Sequence, residues 1–438
     1  MRIVQELLFV ILFGTAVYLF SRKAGQIRKN ILLGRDNDLN DHPDLRWKNL
    51  LLLAFGQKKM FRNPLVAVLH FFVYAGFLII NIEILEIILD GILGQHRLFV
   101  PVLGGLYPVL IGLFEILAVL VLTGCAIFLV RRNILKLKRF ISKDLDGWPR
   151  SDANYILITE IVLMLLFLTM NTADQALQGR GAAHYIPTGN FWISGILTPI
   201  FAGMSDGTLE VIERGCWWLH IAGVLAFLNY LPYSKHLHII LAFPNAYYAS
   251  LEPKGEMENM PAVQHEVQLM LQPELAANAP ASDTMPKFGA KDVTDLTWKN
   301  LLDAYSCTEC GRCTAACPAN ITGKRLSPRK IMMDTRDRLE EVGRNIKANN
   351  GTFTDDNKTL LRDYITEEEL RACTTCNACV QECPVSINPL DIILQLRRHL
   401  VMEESSAPAE WTGMFSNIEN NMAPWKFSMD DRDKWATE

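Results

Sequence analysis

Eight of the ten cysteines fall in two runs that share one spacing. Cys307-Thr-Glu-Cys310-Gly-Arg-Cys313-Thr-Ala-Ala-Cys317-Pro318 reads C-x2-C-x2-C-x3-C-P, and Cys373-Thr-Thr-Cys376-Asn-Ala-Cys379-Val-Gln-Glu-Cys383-Pro384 repeats it. This is the bacterial 4Fe–4S spacing. The first three thiolates can wrap one cube on a tight turn, and the fourth is expected to start a helix leading away, with Pro redirecting the chain. Structural zinc would use C-x2-C pairs and leave the third and fourth cysteines and the Pro unexplained. A c-type haem needs C-x-x-C-H, but Gly311 and Asn377 stand where His would be.

The fourth cysteine of such a run ligates the other cluster in two-cluster ferredoxins. That precedent assigns Cys307, Cys310, Cys313 and Cys383 to one cluster, and Cys373, Cys376, Cys379 and Cys317 to the other. Residues 319–372 separate the runs and have helical texture. Ser327-Pro328 precedes an expected helix over 329–339. Thr366, with Glu at 367–369, marks a capped N-terminus over 366–373. Cys125 and Cys216 lie in or at apolar stretches and read as small buried apolar residues.

Histidines form the second chemical group. His70 and His220 lie inside apolar stretches, and His236 and His238 follow Pro232 at the end of the last one. Imidazoles on facing helices are axial ligands for b-type haem, and a histidine in a membrane helix is a functional candidate. The bland alternative is a hydrogen-bonded core histidine.

The elements that must position these groups are unlike in composition. The chain has 438 residues, half of them hydrophobic, and a formal net charge of −4, which points away from nucleic acid. Five apolar stretches approach the length that crosses a bilayer: 4–20, 64–89, 106–130, 155–170 and 216–231. The first reads as a retained span rather than a removed signal. The second contains Glu83 and Glu86 near its far end, and the fourth contains Glu160 and is short. The loop after the first stretch carries ten Lys and Arg between Arg22 and Arg62, and the loop after the third carries six between Arg131 and Lys143. Arg97 and Arg180 stand nearly alone in the other two. The positive-inside rule then puts the N-terminus outside and everything after the fifth span in the cytoplasm, a reducing compartment that suits free thiols. Residues 191–202 read as an interfacial or re-entrant piece, with Trp192 at headgroup level.

The expected architecture is all-α: a five-helix transmembrane, cytochrome b-like domain (1–250), a linker (251–292), a dicluster ferredoxin domain (293–402) and a polar tail (403–438). Within the linker, 276–282 reads as flexible. The tail reads as unstructured, or as a segment that folds on a partner through Trp411, Phe415, Trp425, Phe427 and Trp435.

Two resemblances extend this reading. The ferredoxin part resembles the α-helical ferredoxins of fumarate reductase iron–sulfur subunits and of the small iron–sulfur subunit of heterodisulfide reductase. The stretch from His220 through Pro232 to His238 looks like the fifth helix of the respiratory nitrate reductase gamma subunit, which has two haem-ligating histidines at this spacing. The resemblance implies that His220 and His238 are ligands and His236 is not. The family's second helix has two ligating histidines ten apart. Here only His70 is present, with Met60 and Ile80 at the positions ten away. By depth His70 pairs with His238. His220 then lacks a clear partner, with His184 and His96 as candidates, and a His70–His220 pair is the alternative.

The combination resembles electron-transfer parts of heterodisulfide-reductase-like enzymes and of membrane-bound electron-transfer-flavoprotein:quinone oxidoreductases. It implies a subunit of the cell inner (cytoplasmic) membrane carrying two 4Fe–4S clusters and one or two b-type haems. Its partners would be quinone or menaquinone and a cytoplasmic subunit with a cysteine-rich, CCG-type catalytic domain or a flavoprotein. No catalytic residue of its own is read, since no C-C-G motif occurs. A membrane-anchored redox sensor without quinone chemistry is the reading from another class.

Overall fold

The structure, a computed structural model, describes residues 2–253, 255–257, 259–276, 287–426, 428–431 and 433–437. The expected flexible linker at 276–282 falls, after Ala276, outside the described residues, as does Phe427. The described residues contain no strand; Arg35 with Thr297 and Leu361 with Ile365 form isolated bridges.

Five long helices, Arg2–Ile31, Pro64–Leu93, Tyr107–Asn133, Trp148–Gly179 and Asp206–Tyr230, are long and apolar enough to cross a membrane. Each packs on its neighbour in chain order, and the first also packs on the fifth, which closes a ring. The starts follow local chemistry. Asn63 caps the second helix by accepting from the Val66 amide, and Pro64 occupies the first turn, where its missing N–H costs nothing. Gly94 ends that helix in the left-handed conformation. Small residues allow close approach: a Cβ on Gly76 would collide with Val121 of the third helix. Around the ring, Leu85, Leu113, Leu165 and Leu219 stay exposed, as lipid-facing residues do.

The fourth helix is not short. It runs for 32 residues, because Asn171, Asp174 and Gln178 in its last turns are buried with polar partners instead of ending it. Residues 191–202 form two single-turn helices, Ser194–Leu197 and Thr198–Phe201, with Trp192 partly exposed. The tail contains the helix Ala409–Asn421.

The polar part after residue 287 is built of short capped helices. Thr297 and Asn300 form a capping box at Trp298–Ser306, and Thr366 and Glu369 form one at Glu367–Ala372. Ser327 caps a helix of 21 residues, Pro328–Ala348, longer than the stretch 329–339 expected for it. The core of this part is apolar: Leu301, Ile331, Leu339, Leu360, Ile392 and Leu396 are buried together. That core is shared with the membrane part. Ile27 and Ile31 of the first long helix, and Leu237 after the fifth, belong to it. Arg35 donates its amide to the Leu296 carbonyl, and its own carbonyl accepts from the Trp298 amide. Asn30 donates to the Tyr305 hydroxyl at 2.9 Å. The first helix thus leaves the membrane part and becomes a wall of the second domain.

Candidate iron–sulfur and histidine sites

Each cysteine run turns in the same way. Glu309 and Gly311 in the first run, and Thr375 and Asn377 in the second, take left-handed backbone conformations at matching positions. Such alternation turns backbone N–H groups inward, toward anionic sulfur. The Thr375 amide donates to Cys373 Sγ at 3.4 Å, and the Ile387 amide to Cys383 Sγ at 3.3 Å. The single-turn helices that carry the third cysteines, Arg312–Ala316 and Ala378–Glu382, pack on each other. This brings the runs together. A short helix, Pro318–Ile321, follows Cys317. No helix starts at Cys383, where a turn leads to Pro389–Arg398 instead. The expectation of a helix after both fourth cysteines therefore holds only for the first.

The packing sorts the thiols into two sets. Cys307, Cys310, Cys313 and Cys383 line one cavity, and Cys317, Cys373, Cys376 and Cys379 line a second. Each set takes three cysteines from one run and the fourth from the other. In each set the thiols stand around a space, as ligands of a polynuclear cluster do. Burial pushes the Cys307 and Cys379 thiols up to about 12 and Cys383 up to about 11. These sulfurs lose their protons when a metal takes them, which couples loading to proton release.

The first cavity is pressed against the basic end of the membrane part. Lys59, in the turn before the second helix, donates to the Cys383 carbonyl at 3.0 Å, and Arg312 donates to the Lys59 carbonyl at 3.3 Å. Arg329, fully buried beside the cavity, grips Asp144 with Nε at 2.9 Å and Nη2 at 2.6 Å, and the Arg139 carbonyl at 2.8 Å. Glycine is required at 311. Its φ is +72°, and a Cβ there would meet Arg329 Nη1 at 2.6 Å and the Arg139 carbonyl at 3.2 Å. Only glycine takes that conformation without steric cost. Glu309 is held between Lys235 and Arg336; burial alone would raise its carboxyl, but the two cations hold it below the usual range. The second cavity has a different setting, since Cys376 is exposed.

The histidines divide in the same direction. His70, His236 and His238 come together near the first cavity. The His236 and His238 rings are 5.6 Å apart, and His70 interacts electrostatically with His238 and with Arg312, which lines that cavity. His220 lies elsewhere, buried beside Phe167. Three imidazoles are oriented through Nδ1: His70 to Gln57 Oε1 at 3.0 Å, His238 to the Lys235 carbonyl at 2.9 Å, and His220 to the Leu163 carbonyl at 3.1 Å. That leaves Nε2 of each available for a ligand, the arrangement that orients metal-binding histidines. Burial lowers His238 and lowers His236 to about 3, so both are neutral at ordinary pH. His96 meets Asp174 and Glu213, each at 3.9 Å, and His184 is exposed in a left-handed turn.

Comparison with known proteins agrees on the cysteine domain. Two family models, each described as a 4Fe-4S dicluster domain, match residues 306–387 and 271–322. The first spans all eight cysteines of the two runs. The chain is 30% identical over 464 residues to "Probable iron-sulfur-binding oxidoreductase FadF" of Bacillus subtilis, covering 100% of this chain and 61% of that protein. It is 28% identical over 424 residues to "EtfAB:quinone oxidoreductase" of Syntrophomonas wolfei, covering 91% of this chain and 55% of that protein. Over 108 residues it is 36% identical to a subunit of the ferredoxin/F(420)H(2)-dependent CoB-CoM heterodisulfide reductase of Methanosarcina acetivorans, covering 24% of this chain and 52% of that protein. The chain thus spans 61% and 55% of the length of its two long relatives. No solved structure matches it. Its relatives are iron–sulfur oxidoreductases, and it carries their dicluster domain.

Lys59, Arg139, Asp144 and Glu309 belong to the site, and sequence reasoning does not find them there. The basic loops are visible as a charge asymmetry, but no local spacing encodes their contact with the cysteine domain.

Proposed function

We propose that the chain is a membrane-bound respiratory electron-transfer subunit. It relays electrons between the quinone pool and a cytoplasmic redox partner through two 4Fe–4S clusters, with a b-type haem on the membrane side. The observation that carries this reading is the order of the sites. The His70–His236–His238 group adjoins Arg312 of the first cavity, and the second cavity has Cys376 exposed at the surface.

The eight cysteines divide as ligands by cavity, Cys307, Cys310, Cys313 and Cys383 for one cluster and Cys317, Cys373, Cys376 and Cys379 for the other. Such clusters and a haem, when bound, supply one-electron carriers. The chain's residues orient and insulate them. Gln57 and the Lys235 carbonyl fix His70 and His238 with Nε2 free, which favours these two as axial ligands. His220, anchored on Leu163, is the ligand for a second haem if one is held. The basic residues at the ferredoxin end support placing that end in the cytoplasm, with the N-terminus outside. The exposed side of Cys376 then faces a cytoplasmic subunit of the CCG type or a flavoprotein. The relative named for a quinone supports the quinone assignment.

The test is anaerobic purification of the membrane complex with its native partners, followed by addition of menaquinol. Reduction of haem absorbance and of the cluster signals is the expected result. His70→Ala and His238→Ala should each remove the same haem band, and His236→Ala should leave it. Clusters that respond to dithionite but never to quinol in a haem-free wild type would overturn the relay. If His238→Ala keeps full haem while His220→Ala and His70→Ala remove one band, the pairing is His70 with His220.

A further inference from the structure

The end of the bundle away from the ferredoxin domain holds a buried polar network that an electron relay does not need. Arg97, in the turn after the second helix, donates to Asp174 Oδ2 at 2.8 Å, to Asn171 Oδ1 at 2.8 Å and to the Tyr107 hydroxyl at 3.0 Å. Tyr107 donates in turn to Glu86 Oε2 at 2.9 Å, and the Phe99 amide donates to Glu86 Oε1 at 2.8 Å. Asp90 accepts from the Arg97 and Leu98 amides at 2.8 and 3.0 Å. Glu115 accepts from the Ile193 and Ser194 amides at 2.8 and 3.2 Å, and from the Ser194 hydroxyl. Glu213 accepts from Arg214 and from Tyr185. Each of these carboxylates is held as a hydrogen-bond acceptor.

Glu83 differs. It is 2% exposed, and neither of its carboxyl oxygens has a hydrogen-bond partner. At a rise of about 1.5 Å per residue it lies roughly 28 Å along the second helix from Pro64. The charged groups facing it are Glu86 on its own helix, Glu115 on the third and Arg97 in the turn. Asp174 on the fourth helix has already engaged that guanidinium, and Glu6 is an acid of the outer part of the first helix. A bare carboxylate in such surroundings is costly to keep charged, and a proton removes the cost. Asp174 Oδ1 is the other buried carboxyl oxygen of the network without a partner. It lies 3.9 Å from His96 Nε2, which is also 3.9 Å from Glu213, and His96 is 24% exposed at the mouth of the bundle.

We propose that Glu83 is a proton-binding site inside the membrane, and that its proton exchanges with the face opposite the ferredoxin domain through Asp174 and His96. The ligand is a proton, carried as a neutral carboxylic acid at Glu83; Arg97 acts electrostatically on Glu83 and donates to Asp174, which lies beside His96. The site stands whether or not the quinone assignment does. If it does, a quinol that loses an electron to the relay releases a proton that needs such an exit.

The test is infrared difference spectroscopy on the full chain in vesicles, with a pH step on the face opposite the ferredoxin domain. The expected result is a carboxylic-acid carbonyl band in the wild type that is lost in Glu83→Gln and kept, at a shifted frequency, in Glu83→Asp. His96→Gln should keep the band but slow its response by an order of magnitude. Unchanged cluster spectra in each variant check that it folds. A band that survives unshifted in both Glu83 variants overturns the site, and a wild-type response rate in His96→Gln overturns the exit. Failure of quinol to reduce the wild type would remove the relay and leave this readout to decide Glu83.

Discussion

Lys59 Nζ donates to the carbonyl oxygen of Cys383 at 3.0 Å and lies 3.1 Å from the Ser386 hydroxyl. A cation from a membrane-side turn therefore rests on the backbone of the one cysteine that the second run contributes to the first cavity. A nearby positive charge favours the reduced, more negative state of a redox centre. Lys59→Gln is expected to lower the potential of one cluster on the order of tens of mV and leave the other in place. Redox titration followed by electron paramagnetic resonance would show it; equal shifts in both clusters would refute this local effect.

Sharing a cavity makes a prediction that differs from sharing a run. Cys383→Ser should damage the same cluster as Cys310→Ser, and Cys317→Ser the same one as Cys376→Ser. Iron and sulfide should fall from about eight of each per chain toward about four in each variant. If Cys383→Ser instead matches Cys376→Ser spectroscopically, the division by cavity is wrong.

Arg329 is fully buried and makes two hydrogen bonds to Asp144 and one to the Arg139 carbonyl. Removing one partner of a buried pair strands the other, at a cost of about 3–5 kcal/mol. Arg329→Met should therefore loosen the ferredoxin domain from the membrane part. Hydrogen exchange should rise at residues 328–348 and 138–145, with the five long helices unchanged. Protection equal to wild type would show that other contacts suffice.

The same pair predicts an acid limb of stability. Burial would raise the Asp144 carboxyl, but Arg329 and the Ser142 and Ser327 hydroxyls hold it below its usual 3.8. A carboxyl depressed in the folded state contributes stability that is present above 3.8 and is lost as pH falls through the lower folded value. Domain docking should weaken in that window, and Asp144→Asn should be weaker at neutral pH but flatter toward acid. An Asp144→Asn profile parallel to wild type would exclude this carboxyl as the titrating group.

Much of this protein can be read without its fold. The C-x2-C-x2-C-x3-C-P runs are local, so their chemistry is visible in the order of residues. Five apolar stretches announce long helices because length and hydropathy alone decide whether a segment suits a bilayer. The fourth stretch looks short in sequence because Asn171, Asp174 and Gln178 read as polar ends. Their partners Arg97 and Thr188 lie elsewhere in the chain, so only packing reveals a helix of 32 residues.

Cysteine chemistry, helical class and the split between an apolar and a polar half are legible in the order of residues, since each depends on near neighbours or on composition. Packing brings together the same four thiols that the two-cluster spacing assigns to each cavity. Tertiary structure alone decided that Lys59, Asp144 and Arg139 press the first cavity against the membrane part, and that His236 joins His70 and His238. Glu83 is legible as an acid in an apolar helix, but not as one left without a partner among partnered neighbours. These relations join residues far apart in the chain. Their closeness comes from how helices pack and where desolvated charges find partners, which no spacing along the sequence records.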